Sequence, residues 1–599
     1  MHRTVTREAW RNAMQTRFDA YAFSDSSKHG DTSGRAGLAD VELEILQEQL
    51  AFAKQQRNRA TAACSLPPEV LGSIFSLAQA GWSPHGTSAK NEIVDQDDTS
   101  ATFKTNYSMG WMCILHVCSS WRQVALTTLE LWDELHCLDV HPQYIPTLLA
   151  RSRLLPLTLV VDGKDLLLDE VKEPLPSRSW LCLSVFRRTA GITFVNVSDH
   201  HLSPWLKKLC HPMPQLRRLD ITGQPTEEQS DESGPALPVD LFSREAPELT
   251  HVRLVDVGFS WTSALFARTI VLLSLTFNAT CLTNRTIAES MPTLQQFSQI
   301  ISSLTALEEL ELQAVFPVIS PTGTDAYTIE FPRCFTKLAL HAEDDFIKPC
   351  FSLLKHTTFP SQAIVTIDIL TVEDFQPDVP ALILQLFGPV DTAIPRELWL
   401  SRYSIGMQYI DRPQEDIITG RLTGSFDSWT LFNMAVGGRG FYLHQGNDDN
   451  DLPSLVSYLP TLPLRTLRTV TCASDSACFL TSPRVWLSTF KVAQDVENVS
   501  VEYDGALHLF EALAEMDDMG HFMLFPSLKM LALHTSKDTE KDEVGTVELR
   551  STLEVAITEF LLRRREQDTP VKVLVQYQMA EWDVWDRIED LVHDDVEGF

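Results

Sequence analysis

Along Leu66–Ala78 the apolar positions Val70, Leu71, Ile74, Phe75 and Ala78 fall at helical spacing. Pro67 and Pro68 stand just ahead of them, where a fixed φ suits the first turn of a helix. Ser65 is placed to cap that helix, and Glu69 to meet the positive end of its dipole. Leu115, Cys118, Trp121, Ala125 and Leu129 keep the same rhythm, and Leu131 and Trp132 close the segment. The pattern predicts two or three short helices with more apolar surface than so few residues can hide, so a partner is expected to cover the rest. Upstream, Val41, Ile45, Leu46, Leu50 and Ala53 predict an amphipathic helix over 40–62 that packs back on the later helices. Residues 1–39 hold no sustained pattern and read as disordered.

A second pattern takes over after Trp132. A helix is expected over Pro146–Arg153 and a strand over Pro156–Val161. From there an apolar-x-x-apolar-x-apolar motif recurs: LRRLDI at Leu216, LTHVRL at Leu249, LEELEL at Leu307, FTKLAL at Phe335, VENVSV at Val496 and LKMLAL at Leu528. Weaker copies start at Leu154, Ile192, Leu272, Ile364, Pro395, Trp429 and Leu467. From Leu216 onward the steps run from 23 to 38 residues and alternate with helix-like stretches such as FSQIISSLTALEE. Alternate strand residues then point inward: Leu219/Ile221, Val252/Leu254, Leu310/Leu312, Leu338/Leu340 and Leu531/Leu533. One such unit cannot bury its own apolar face, so neighbours stack into a solenoid. The residues between them would form its concave face: Arg218, Asp220, His251, Arg253, Glu309, Glu311, Lys337, His341, Glu397, Trp399, Asn498 and Ser500. A mixed-charge face with an exposed Trp suits protein recognition.

Both patterns resemble known families. Leu66, Pro67, Pro68, Glu69, Val70, Leu71, Ile74 and Phe75, then Val117, Cys118, Trp121, Arg122 and Ala125, then Leu131 and Trp132, resemble the F-box in its fungal F-box-like form. The resemblance implies a three-helix module over 63–140 that binds the Skp-type adaptor of a cullin–RING (SCF) ubiquitin ligase. It implies that Leu66, Pro67, Pro68, Val70, Leu71, Ile74, Phe75, Val117, Cys118, Trp121, Leu131 and Trp132 contact that adaptor. It also accounts for a helix just ahead of the motif. One departure is a polar, turn-rich insert between Gln79 and Met109, about 80–108, which reads as a surface loop able to crowd the adaptor face. The repeated strand motif resembles the leucine-rich repeat in a long, irregular form that lacks its closing asparagine.

Charge and composition narrow the function. The 599-residue chain carries a formal net charge of −31, against a nucleic-acid or anionic-membrane surface. No N-terminal apolar region marks a signal peptide, and TIVLLSLTF, the longest apolar run, reads as a buried strand. A cytoplasmic or nuclear protein is expected, its 11 Cys being reduced core residues. No Walker A loop, G-x-S-x-G elbow or H-E-x-x-H stands in the chain. Gly437-Gly438-Arg439-Gly440 reads as a turn, and GNDDND at 446–451 as a loop without the Glu a calcium site needs. Asp199, His200, His201, Cys210 and His211 match no zinc spacing. Trp582, Trp585, Ile588 and Val592 give the acidic tail over 576–599 a helical stripe that can cap the last repeat.

The expected fold is thus an α/β repeat: a small all-α F-box-like module, then an irregular leucine-rich-repeat-like solenoid over 141–575. The expected function is an SCF-type substrate receptor, not an enzyme and without cofactor or metal, whose partners are a Skp-type adaptor and an unknown target protein. The alternatives are a non-ligase scaffold or inhibitor, favoured by the insert, and, ranked last, an enzyme with a site assembled from scattered residues.

Overall fold

The structure, a computed structural model, describes residues 2–23, 32–91, 102–164, 180, 182–224, 235–277, 291–318, 327–360, 363–371, 379–387, 394–401, 404–409, 438–445, 455–473, 479–534, 544–576, 579, 582–592 and 597–598. The chain divides into two units, Met1–Val160 with Asp165–Val171, and Val161–Lys164 with Lys172–Phe599.

The first unit opens with α-helices His2–Phe23 and Thr32–Arg59. For residues 2–23 and 32–39 this corrects the reading of 1–39 as disordered: His2–Phe23 contains no Gly or Pro, so nothing in it interrupts a helix. The packing expected of the second helix is also corrected. Val41, Leu43, Ile45, Leu50 and Phe52 are all exposed, and Glu42 is buried instead. These apolar positions wind around the helix and present no single face to bury. Arg17 Nη2 meets Glu42 Oε1 at 3.3 Å across the two helices.

Helices Pro68–Gly81 and Ser119–Thr127 follow, with 3₁₀ turns at Ala62–Ser65, Gly110–His116 and Leu129–Trp132. The cap of the first is Pro67, not the expected Ser65, whose hydroxyl bonds the Ala62 carbonyl. The insert is not a plain loop: His85–Asn91 and Thr102–Ser108 pair antiparallel, from His85↔Ser108 to Asn91↔Thr102. The alternation Phe103, Thr105, Tyr107 favours a strand. Beyond Trp132, strand Glu134–His136 pairs in parallel with Leu157–Asp162, joined by helix Ile145–Arg151.

The second unit is mixed α/β, built on a large, mostly parallel sheet. Thr189–Ser198, Arg218–Gln224, His251–Val255, Leu272–Thr276, Glu309–Gln313, Lys337–Glu343 and Ile364–Thr371 pair in parallel in chain order. Ile364–Thr371 then pairs in parallel with Gly438–Gln445. Antiparallel Ser404–Gln408 and Glu397–Leu400 come next, and Thr469–Cys472 restores the parallel direction. Asn498–Glu502, Met530–His534, Lys572–Val575 and Glu597–Gly598 complete the line. The pairings run in a single open line.

The repeated motif explains these strands. Leu216, Leu219 and Ile221 are buried, as are Leu249/Val252/Leu254, Leu307/Leu310/Leu312, Phe335/Leu338/Leu340, Val496/Val499/Val501 and Leu528/Leu531/Leu533. The first apolar residue sits on a turn before the strand. Leu216 N–H donates to Met213 O at 3.1 Å, Leu307 to Leu304 O at 3.1 Å and Phe335 to Pro332 O at 3.0 Å. Helices such as Leu294–Ser303, closed by a Thr293/Gln296 capping box, and Ile347–Lys355 lie between strands. The weak copy at Trp429 lies outside the described residues. Gly438–Arg439–Gly440, read as part of a turn, belongs to strand Gly438–Gln445. Gly438 passes so close to the neighbouring strand that a Cβ there would strike the Met407 carbonyl oxygen.

Candidate protein-interaction surfaces

In the first unit, two helical faces divide the apolar residues between core and surface. Phe75 and Trp121 pack with ring centroids 5.3 Å apart, and Trp111 and Trp132 at 5.1 Å. Trp132 Nε1 donates to Ala125 O at 2.9 Å, and Arg122 Nε to Leu115 O at 2.7 Å, which tie Ser119–Thr127 to its flanking 3₁₀ turns. Leu71, Phe75, Leu131 and Trp132 are buried in this core. They are therefore internal, a correction to the expected adaptor contacts: the helix turns them inward to hold the module together. Trp121 and Cys118 are half-buried at its edge.

The remaining expected contacts face outward. Leu66 is 37% exposed, Val70 43%, Ile74 42% and Val117 56%, with Leu77 at 75% beside them, and Pro67 and Pro68 are also exposed. Val70, Ile74 and Leu77 follow one another at three- and four-residue steps, a stripe about a third of a turn around the helix from Leu71 and Phe75, and Leu66 stands just ahead of it. Leu77 was missed by matching the motif, although its helical spacing from Val70 and Ile74 marks it. The hairpin does not cover this stripe; its base is fastened elsewhere. Gly86 N–H donates to Asp139 Oδ1 at 3.0 Å, Tyr107 lies 5.2 Å from the His141 ring, and Trp111 N–H donates to Trp82 O at 2.8 Å.

In the second unit the polar face of the sheet is open over its first part. Glu309–Gln313 alternates half-buried and buried residues, and His251–Val255 does so in a more exposed form. Arg218, His251, Arg253 and Lys337 are exposed there, and Asp220, Glu309, Glu311 and His341 half-exposed. Side chains link across strands: Ser274 Oγ donates to Glu311 Oε2 at 2.9 Å, His341 Nδ1 meets Asp368 Oδ2 at 3.1 Å, and Lys337 Nζ lies 4.0 Å from Glu309 Oε2. Asp368 and Ser274 join the face through register alone, since Asp368 pairs with His341 and Ser274 with Glu311.

Farther along, both faces of the sheet are buried. Glu397–Leu400, Ser404–Gln408, Thr469–Cys472 and Met530–His534 are buried at every position. Glu397 and Trp399, expected on the open face, are 3% exposed, and Trp399 Nε1 donates to Glu397 Oε1 at 2.7 Å. Trp399 packs against Gly406 of the adjacent strand. Ser500 is likewise buried, while Asn498 is half-buried with its Nδ2 3.3 Å from Thr469 Oγ1. These residues serve the core.

Cys137, Cys350 and Cys472 are buried, as all cysteines were expected to be; Cys64, Cys113, Cys118, Cys182 and Cys210 are half-buried and Cys334 is exposed. Cys210 Sγ lies 3.5 Å from His211 Nδ1, and His201 is buried. Among the described residues no His, Cys, Asp and Glu converge on a metal position, and no helix is long and apolar enough to cross a membrane. GNDDND lies outside the described residues. No protein-family model matches the chain, and no curated protein matches it.

Proposed function

We propose that the chain is a substrate-receptor subunit of an SCF-type cullin–RING ubiquitin ligase. Its F-box-like helices bind a Skp-type adaptor, and its second unit, an irregular leucine-rich-repeat-like solenoid, binds a target protein. The observation that carries the reading is the exposed stripe Leu66, Val70, Ile74 and Leu77 with Val117, on a small unit that keeps Leu71, Phe75, Leu131 and Trp132 for its own core. Five large apolar residues left in water on one small unit are what a protein partner covers. The repeat reading is supported by the buried triplets of the strand motif and by a backbone ladder. In that ladder Glu308 N–H donates to Val271 O, Thr336 to Glu308 O and Ile364 to Thr336 O, each at 2.8 Å. The open polar face beside Arg253 and His341 is the surface offered to the target.

Such a receptor forms and breaks no bond; it contributes proximity between target and transferase. Co-purification with a Skp-type adaptor tests it. The wild-type chain is expected to hold the adaptor, and a Val70→Asp/Ile74→Asp double variant to lose it while keeping its far-ultraviolet circular dichroism. Failure of the folded wild-type chain to bind would overturn the reading.

A second reading, a repeat scaffold without ligase docking, is favoured by the ordered hairpin His85–Asn91/Thr102–Ser108 inside the module. Under that reading the wild-type chain does not bind, and deletion of 85–108 restores binding.

A further inference from the structure

Cys64 and Cys118 lie 54 residues apart in the chain, yet their sulfurs stand 3.7 Å from each other. Cys64 sits in the 3₁₀ turn Ala62–Ser65. Cys118 is the N-cap of helix Ser119–Thr127, its Sγ accepting the Trp121 N–H at 3.4 Å. Both are free thiols and both are half-buried, so a small oxidant can reach them. Two thiols at this separation need a shift of only about 1.7 Å to reach a disulfide bond length of about 2.0 Å. Cys137, Cys350 and Cys472, by contrast, are buried.

We infer that Cys64 and Cys118 form a reversible disulfide site in the first unit, oxidised by a low-molecular-weight disulfide such as oxidised glutathione. One protein thiolate attacks a glutathione sulfur, forms a mixed disulfide and releases one reduced glutathione. The second protein thiolate attacks the sulfur of the first cysteine and expels the second glutathione. Two thiol protons leave the protein and two end on glutathione; the protein loses two electrons and glutathione disulfide gains them. The second step is intramolecular, so its effective concentration far exceeds that of free thiol in solution. The bond joins the segment leading into exposed Leu66 to the segment carrying exposed Val117.

The test uses the full chain, reduced and freed of reductant, in glutathione buffers of rising oxidised fraction, quenched in acid, alkylated and peptide-mapped. A Cys64–Cys118 cross-linked peptide is expected, two hydrogens lighter than the sum of its parts and reversed by dithiothreitol. It should half-form at an oxidised-glutathione concentration about tenfold or more below that which glutathionylates exposed Cys334. In Cys64→Ser the cross-link is lost and Cys118 accumulates as the glutathione mixed disulfide. Separate glutathione adducts on Cys64 and Cys118 with no cross-link in the wild type would overturn the inference. So would modification of Cys334 while both stay reduced. Peptide mapping requires no adaptor, so its outcome is independent of the ligase reading.

Discussion

Phe75 and Trp121 meet ring to ring at 5.3 Å, and this contact closes helix Pro68–Gly81 on helix Ser119–Thr127. Ile74 is next to Phe75 in the chain but points to water at 42% exposure. Neighbouring positions on one helix thus do opposite work. Phe75→Ala should destabilise the first unit by about 3–5 kcal/mol, through lost burial and the cavity left behind. Ile74→Asp should change stability by less than about 0.5 kcal/mol. Urea unfolding of the two variants side by side checks this. Equal destabilisation would mean that Ile74 belongs to the core, and would remove the basis for a docking stripe.

Helix Val544–Glu566 carries a fully buried cation. Arg564 Nη2 donates to Phe525 O at 2.9 Å and Leu524 O at 3.2 Å, Nη1 to Pro526 O at 3.3 Å, and the guanidinium lies 3.9 Å from the Phe522 ring centre. Burial pulls its pKa down to about 10, which leaves it charged at neutral pH. The planar fork reaches three carbonyls from two separate nitrogens while lying over the Phe522 ring, a geometry that a single ammonium nitrogen does not reproduce. Arg564→Ala should cost about 3–5 kcal/mol by removing the guanidinium donors to those carbonyls and the packing of a fully buried side chain. Arg564→Lys should recover less than half of that. Chemical denaturation followed by circular dichroism measures both, and full recovery by Lys would refute the role given to the fork.

The sequence was most legible where period and burial coincide. Leu219/Ile221, Val252/Leu254, Leu310/Leu312, Leu338/Leu340 and Leu531/Leu533 were expected inside and are buried, because a strand fixes the inward side by alternation alone. Glu397 and Trp399 show the limit. Alternation places them on the outer face, and it does so correctly, but whether that face meets water depends on what packs over it, which no local pattern encodes. The same limit applies to Leu71 and Phe75. The motif resemblance marks them with Val70 and Ile74, and only the packing of Trp121 against the helix separates core from surface. The antiparallel excursion Glu397–Leu400 and Ser404–Gln408 was not legible, since it interrupts the period of the strand motif.

His534 ends a strand whose every position is buried. Burial pushes its imidazole down from 6.5 to about 4. The native state therefore stays unprotonated to about pH 4, whereas the unfolded chain takes up the proton near pH 6.5. Between those values the unfolded state binds more protons, so stability falls as pH falls from 6.5 towards 4 and this group adds no further loss below that. From pH 7 to pH 5 the wild type should lose about 2 kcal/mol more than His534→Leu. Unfolding free energies of both proteins at the two pH values provide the check. Parallel losses would show that His534 is not the responsible group.

The acidic tail can be a cap or a free partner-binding helix, and burial distinguishes them. Val584, Trp585 and Ile588 of helix Asp583–Ile588 are buried. Trp585 Nε1 donates to Met579 O at 2.6 Å, and Tyr503 holds both Trp582 and Trp585 at ring distances of 5.4 and 5.9 Å. Arg587 pairs with Glu554 of the preceding long helix, and Glu597–Gly598 adds a parallel strand beside Leu574 and Val575. A helix kept for a partner would leave Trp585 in water, and Trp585→Ala would then be close to neutral. Docked as a cap, Trp585→Ala should cost about 3–5 kcal/mol. Tyr503 and Trp582 should become accessible at the same time. Thermal unfolding, with tryptophan fluorescence quenching by acrylamide, separates the two cases. An unchanged melting temperature with unchanged quenching would make the tail a free helix.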